Sequence, residues 1–218
     1  MQTGQGAMKR VFDIICSACG LLFLSPGLVL IACMIRAGDR GPVFYHGVRV
    51  GLNGRLFRIF KFRTMVVDAE KLGASSTSDD DARITRIGKF LRKHKLDELP
   101  QLINVLIGDM SLVGPRPEVK YYTDMYTEEE KAILSVRPGI TDWASIWNAH
   151  EGVFLAGAED PDKAYKEFIR PTKLKLQLKY VRERSFFIDI NILFLTILAI
   201  IKPESRAVQD IRNKKSIA

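Results

Sequence analysis

The stretch VFDIICSACGLLFLSPGLVLIACMI, Val11 to Ile35, constrains this chain more than any other. About 20 apolar residues suffice to cross a bilayer as a helix, which satisfies its backbone polar groups internally. The run is too long for a secretory signal and lacks a small-residue end. Ser25 and Pro26 interrupt it near the middle. Proline removes one backbone donor and crowds the preceding turn, so a helix bends or breaks there. Ser25 can return a hydrogen bond to the freed carbonyl, which makes the break tolerable in lipid. Lys9 and Arg10 precede the run, and Arg36 and Arg40 follow it. Because Lys and Arg favour the cytoplasmic side, cations at both ends suit a re-entrant hairpin entering and leaving on one face. The pattern alone leaves a kinked spanning helix equally open. Asp13 is expected near the interface, since a carboxylate deeper in lipid is costly.

A second apolar run, Phe186 to Ile201, is short for spanning and contains Asp189 and Asn191. It reads as an interfacial or core helix that ends at Lys202-Pro203. The 218 residues allow one sizeable domain with an anchor, without disulfides or a structural metal. A net charge of +8 points to an anionic partner. The three cysteines, Cys16, Cys19 and Cys33, all lie in the first apolar run. With no second Cys or His pair at zinc spacing, they read as small apolar packers. No C2H2 or RNP-like pattern supports nucleic-acid binding.

In the polar part, Leu56 to Met65 predicts a strand, with Lys61 and Arg63 on one face. Gly51-Leu52-Asn53-Gly54 before it predicts the turn of a β-hairpin. Ile84 to Lys95 reads as a basic helix or extended arm, and Leu99 to Ile107 as a short buried helix. Asp97 is a candidate N-cap for that helix, with Pro100 in its first turn. Tyr121 to Val136 and Ala164 to Arg184 read as helical, and residues 140 to 160 as irregular. Asp79-x-Asp81 resembles a metal-binding D-x-D, but it sits in a Ser- and Asp-rich loop and reads best as a solvated acidic patch.

Asp97 and Glu98 are adjacent carboxylates among Lys61, Arg63, Arg92, Lys93, Lys95 and Arg116. A carboxylate can act as a nucleophile and form an acyl phosphate. Attack on a diphosphate needs cations that hold the phosphates and neutralise charge in the transition state. Arginine does this bidentately through its planar fork. Mg²⁺ binds through one or two carboxylates plus substrate phosphates. Such a cluster therefore suits Mg²⁺-dependent phosphoryl chemistry. In Gly114-Pro115-Arg116-Pro117 the prolines stiffen the backbone that presents Arg116. The usual phosphate loops, G-x-x-x-x-G-K-[ST] and G-x-G-x-x-G, do not occur.

KFRTM at 61–65, LRKHKLDELPQLINVLIGDMSLVGPRP at 91–117 and RPGIT at 137–141 resemble the bacterial sugar transferase family, the small monotopic phosphoglycosyl transferases. The likeness runs from about Met8 to Pro203 and includes the Ser-Pro break. It implies transfer of a sugar-1-phosphate from a UDP-sugar to undecaprenyl phosphate, with release of UMP. That step would start an O-antigen, capsule or exopolysaccharide. The resemblance assigns Asp97 as nucleophile and Mg²⁺ contact, and Glu98 as the residue that deprotonates or positions the acceptor. It assigns Lys61, Arg92 and Arg116 to the phosphates; Arg63 joins them on the residue pattern. It also favours the re-entrant form of residues 11–36, on the cytoplasmic face of the bacterial inner membrane and in contact with its lipid. A homodimer stays open.

The expected fold is α+β: a mainly helical, membrane-associated catalytic domain with a short β-hairpin. Its division is a tail at 1–10, the re-entrant helix hairpin at 11–36, the catalytic domain at 37–203 and a basic tail at 204–218. With no block of membrane helices ahead of it, the chain reads as the minimal form; whether residues 1–7 are native is open. Where the family often has GWAQVNGR after RPGIT, this chain has DWASIWNAHEG, with Asp142, Ser145 and His150. That stretch is expected to bear on sugar recognition. Direct UDP-sugar glycosyl transfer through Asp79 and Asp81 is the second enzyme reading, and a non-catalytic anionic-membrane adaptor the third.

Overall fold

A computed structural model describes residues 2–72, 80–149, 155, 158–202, 204–205, 208–209 and 211. The chain is mostly helical with small two-stranded sheets. Helix α1, Gln2–Asp39, carries the first apolar run and continues unbroken through Pro26. At about 1.5 Å per residue, its 38 residues extend about 57 Å along the helix path. Pro26 cannot donate to the Leu22 carbonyl one turn back, and the Ser25 hydroxyl donates to that oxygen at 2.8 Å instead. The expected repair at the Ser-Pro break is thus present, within one helix rather than between two.

Both flanks of α1 pack on the same body. Phe12 and Cys16 join the main core, built from Val105, Met110, Val113, Ile146, Tyr180 and Ile192. Ile35, with Leu28, Ile31 and Ala32, packs on Phe62 and Leu91. Between these flanks Leu22 and Phe23 stand exposed, at 71 % and 79 %. The helix is long and apolar enough to cross a membrane, and only 6 % of its most apolar window is buried by protein. Asp13 is buried, accepting from the Leu112 backbone N–H at 3.1 Å, and Lys9 reaches Asp189 at 2.5 Å.

The predicted hairpin forms between β2 (Val48–Val50) and β3 (Leu56–Arg58), antiparallel with Val48 opposite Arg58. The single strand expected over 56–65 is split. After β3 the chain breaks, and β4 (Lys61–Phe62) pairs with β1 (Phe44–Tyr45) in a separate sheet. The break is held by Asn104, whose amide accepts from Phe60 N at 2.8 Å and donates to Arg58 O at 2.9 Å.

Helix α2 (Arg86–Lys93) is capped by Thr85. Lys95, at φ 56°, turns the chain into a 3-10 turn over Leu96–Glu98. Helix α3 (Gln101–Ile107) follows with Pro100 at its N-cap, so Asp97 is not the cap expected of it. The helix ends on Gly108 at φ 100°, a left-handed position that glycine takes without strain. Strand β5 (Ser111–Val113) lies parallel to β6 (Gly139–Thr141). A Cβ on Gly139 would lie 2.0 Å from Gly114 N, so glycine is required for the two segments to touch.

The helix expected over 121–136 is short in fact: α4 (Lys120–Thr123) and a 3-10 stretch, Glu130–Ser135. The stretch expected to be irregular holds β6 and α5 (Trp143–Trp147). Helix α6 (Pro161–Ala164) passes through a π-helical turn into α7 (Arg170–Glu183). Helix α8 (Phe186–Ile201) is the second apolar run, capped by Ser185. Its inner face buries Asp189, Ile192 and Leu195. Its outer face exposes Phe187 (85 %), Ile190, Phe194, Ile197 and Ile201, a stripe at helical spacing. Phe12 and Phe186 meet edge-on at 5.4 Å, joining α8 to α1.

Candidate active site

The 3-10 turn places Asp97 inward, 2 % exposed, and Glu98 beside it. Lys61 on β4 reaches both carboxylates: Nζ lies 2.7 Å from Asp97 Oδ2 and 3.3 Å from Glu98 Oε1. Arg116 meets Glu98 through both terminal nitrogens, Nη1 donating to Oε2 at 3.0 Å and Nη2 to Oε1. This is the bidentate geometry that a planar guanidinium favours. Burial pushes the Glu98 carboxyl up, but the Arg116 and Lys61 charges and the Arg116 hydrogen bonds outweigh it. They hold Glu98 well below the ordinary carboxylate range. Asp97 meets Lys61 through one oxygen, and its Oδ1 carries no hydrogen bond among the described residues.

Of the predicted basic residues, Lys61 and Arg116 come together at the carboxylates, and two do not. Arg63 is buried on the end of α1: Nε donates to Pro42 O at 2.6 Å, Nη1 to Asp39 Oδ2 at 2.5 Å and Nη2 to Asp39 Oδ1. Strand β4 stops at Phe62, so the alternation that would have pointed Arg63 with Lys61 does not extend to it. Arg92, in the last turn of α2, donates from Nε to Thr64 Oγ1 at 3.0 Å. Ser25 and Pro26 lie in the exposed middle of α1. Asp81 is held locally by Arg83, with Nη2 to Oδ2 at 2.6 Å. Its D-x-D partner Asp79 lies outside the described residues, as does His150.

Three further groups take their places only from the fold. Lys95 is exposed beside the pair and feels Glu98 and Asp97 on one side, Arg116 and Lys61 on the other. A left-handed non-glycine residue next to an acidic pair is the signal for it, and that signal is conformational. Asn104, fully buried, ties the Lys61 segment to α3; the lone polar residue in LINVLI was its trace. Asp142, expected to bear on the sugar, is fully buried and accepts from the Arg116 N–H at 3.2 Å, so it supports the Pro-Arg-Pro segment instead.

The chain matches the family described as bacterial sugar transferase over residues 4–203. It belongs to that family. It is 43 % identical over 196 residues to the undecaprenyl-phosphate glucose phosphotransferase of Komagataeibacter xylinus, covering 87 % of this chain and 35 % of that protein. It is 37 % identical over 199 residues to the UDP-N-acetylgalactosamine-undecaprenyl-phosphate N-acetylgalactosaminephosphotransferase of Aeromonas hydrophila, covering 89 % and 44 %. It is 36 % identical over 197 residues to the uncharacterized sugar transferase EpsL of Bacillus subtilis, covering 90 % and 89 %. The chain thus spans less than half the length of the first two relatives. Those two are named for different sugars, glucose and N-acetylgalactosamine.

Proposed function

We propose that this chain is a phosphoglycosyl transferase that moves a sugar-1-phosphate from a UDP-sugar to undecaprenyl phosphate, starting a bacterial glycoconjugate. The observation that carries the proposal is a buried Asp97 with one oxygen on Lys61 and the other unoccupied by hydrogen bonds, beside a Glu98 gripped by Arg116.

In this reading Asp97 Oδ1 attacks the β-phosphorus of the UDP-sugar. The bond from that phosphorus to the bridging oxygen breaks, and UMP leaves with the oxygen. The phospho-sugar is then an acyl phosphate on Asp97. A phosphate oxygen of undecaprenyl phosphate attacks the same phosphorus and returns Asp97 as a carboxylate. Glu98, ionised between Arg116 and Lys61, orients the acceptor phosphate through those two cations. Lys61, Arg116 and Lys95 meet the charge of the diphosphate. Arg92, held through Nε by Thr64 Oγ1, and Arg63, which seats the end of α1, stand outside this set.

Mg²⁺ fits this donor set as a substrate-completed site. Two carboxylates are too few for an all-protein cage, and no cluster of three or more His, Cys, Asp or Glu occurs among the described residues. The ion ordinarily binds through one or two carboxylates plus substrate phosphates. The Asp97 carboxylate would hold it, and the ion would offset the negative charge of the diphosphate.

The re-entrant reading of α1 is supported by its contacts. Both flanks rest on one body, while a side chain added at Gly27 would meet nothing within 4 Å. With the outer stripe of α8, this leaves apolar surface exposed on both apolar helices, suited to a cytoplasmic membrane surface where a polyprenol's phosphate resides.

The test is a panel of UDP-sugars with Mg²⁺ and undecaprenyl phosphate, following UMP and UDP separately. UMP release that is lost in Asp97→Asn supports the reading and names the sugar. UDP release that survives the substitution overturns it.

A further inference from the structure

Helix α7 turns a polar stripe toward the segment that carries Arg116. Lys173, Gln177 and Tyr180 are spaced four and three apart, so they share one face, and all are buried. Each reaches a different point of that segment. Lys173 Nζ donates to Glu118 Oε1 at 2.6 Å and Gln177 Nε2 to the Arg116 carbonyl at 3.3 Å, while the Tyr180 hydroxyl, whose proton Asp189 Oδ1 shares at 2.8 Å, lies 3.2 Å from the Val113 carbonyl.

Asp142 closes the arrangement from the start of α5. Its Oδ2 accepts from the Arg116 backbone N–H and from Gln177 Nε2, both at 3.2 Å. Its Oδ1 accepts from Ser145 N at 2.6 Å and Ser145 Oγ at 2.7 Å. Four donors converge on two oxygens, a demand that an amide would meet with a donor of its own. Asp142 and Gln177 are both 0 % exposed, so water does not compete for these bonds. The N–H and C=O of Arg116 are therefore both held by buried side chains, while prolines on either side restrict the backbone.

A detail argues that this arrangement serves more than stability. Gln177 Oε1 is buried and has no hydrogen-bond partner. An orphaned buried acceptor destabilises, and an apolar residue of similar size would avoid it. What an apolar residue could not do is bridge the Arg116 carbonyl to Asp142.

We propose that Asp142 and Gln177 are positioning residues for Arg116. They fix its backbone so that its guanidinium stays on Glu98 and faces a bound diphosphate without first being ordered. What Arg116 binds rests on the phosphoglycosyl transfer reading; the clamp itself rests on the contacts above.

The experiment is a double-mutant cycle on the full-length protein in detergent, with Gln177→Leu, Arg116→Gln and the pair. UDP affinity is measured by calorimetry, and UMP release with Mg²⁺ and undecaprenyl phosphate in parallel. Gln177→Leu alone should weaken UDP binding by about 10-fold, the scale of one hydrogen bond to a charged group. In the Arg116→Gln background the same change should add less than about 2-fold, because its route is already cut. Should Gln177→Leu fail to fold, Asp142→Asn takes its place in the cycle. An unchanged UDP affinity in the single variant overturns the proposal. So does an equal loss in both backgrounds, which is the mark of general destabilisation. Coupling in UDP binding with release of UDP rather than UMP would sink the proposed function and leave the clamp standing. Additive losses with UMP release intact would do the reverse. A wild-type protein that does not bind UDP overturns both.

Discussion

Two carboxylate–cation clusters in this molecule differ in completeness. Glu118 and Lys173 form a closed unit. Oε1 of Glu118 accepts from Lys173 and from the Tyr165 hydroxyl, both at 2.6 Å, and Oε2 accepts from the Tyr126 hydroxyl at 3.1 Å. The Lys173 side chain is only 10 % exposed. The pair at Asp97 and Glu98 is left open. Arg116 is 36 % exposed, Asp97 Oδ1 lacks a hydrogen bond among the described residues, and an exposed Lys95 stands two residues before Asp97. A buried ion pair is tolerated when every lone pair is satisfied, as at Glu118. One that keeps an oxygen free of hydrogen bonds beside a partly exposed arginine is arranged for a ligand.

The comparison can be broken by experiment, beginning with the largest effect. Asp97→Asn should reduce UMP release by on the order of 10³-fold or more, with thermal unfolding little changed. Activity within a few-fold of wild type would remove Asp97 from the chemistry. Lys173→Met should do the opposite. It strands a buried Glu118 carboxylate and should destabilise by about 3–5 kcal/mol. Its unfolding midpoint should fall sharply, while the surviving folded fraction still binds UDP. Replacing both partners, Glu118→Gln with Lys173→Met, should recover much of that loss.

Arg116→Lys sharpens the contrast further. It keeps the charge and loses the fork, so UDP affinity should fall by about 10-fold with almost no shift in unfolding. A large stability loss there would mean that Glu98 and Arg116 are a structural pair after all. The smallest effect concerns pH. Both Glu98 and Glu118 have folded-state carboxyls held below their ordinary range. Burial alone would raise both, and the neighbouring cations outweigh it. A lowered folded value means that each contributes stability above the unfolded value of about 4.3 and loses it as pH falls below that. The acid limb of the stability profile should therefore be shallower in the Glu118→Gln, Lys173→Met protein than in wild type.

Much of this was legible before the fold. The long apolar helix, the hairpin at Asn53-Gly54 and the short helix after the acidic pair all follow from local patterns, and each forms, whereas the break expected at Ser25-Pro26 does not, since one helix runs through it. The likeness that marked Lys61 and Arg116 was also in the sequence, and both reach the carboxylates. Local rules failed where a distant partner decides. Asp97 reads as a helix cap because capping is the commonest use of an Asp before an apolar run. In the fold, the left-handed turn at Lys95 directs it inward to Lys61 instead. Arg63 reads as a phosphate ligand because it follows Lys61 by two. Asp39, 24 residues away, takes it. The stretch after RPGIT reads as bearing on sugar recognition because it departs from the family's usual wording, and within it Asp142 is buried against Arg116.

The amino-acid sequence by itself determined which segments are apolar, where the long helix must be repaired, and that an acidic pair would sit among cations. Those are properties of neighbours along the chain: hydropathy, a missing N–H and residue type. Only the tertiary structure decided which cations serve the pair and which serve the frame. That choice depends on contacts between residues tens of positions apart, such as Lys61 with Asp97 and Gln177 with Arg116. Such contacts form because burial forces each polar group to find a partner in space, whichever element supplies it.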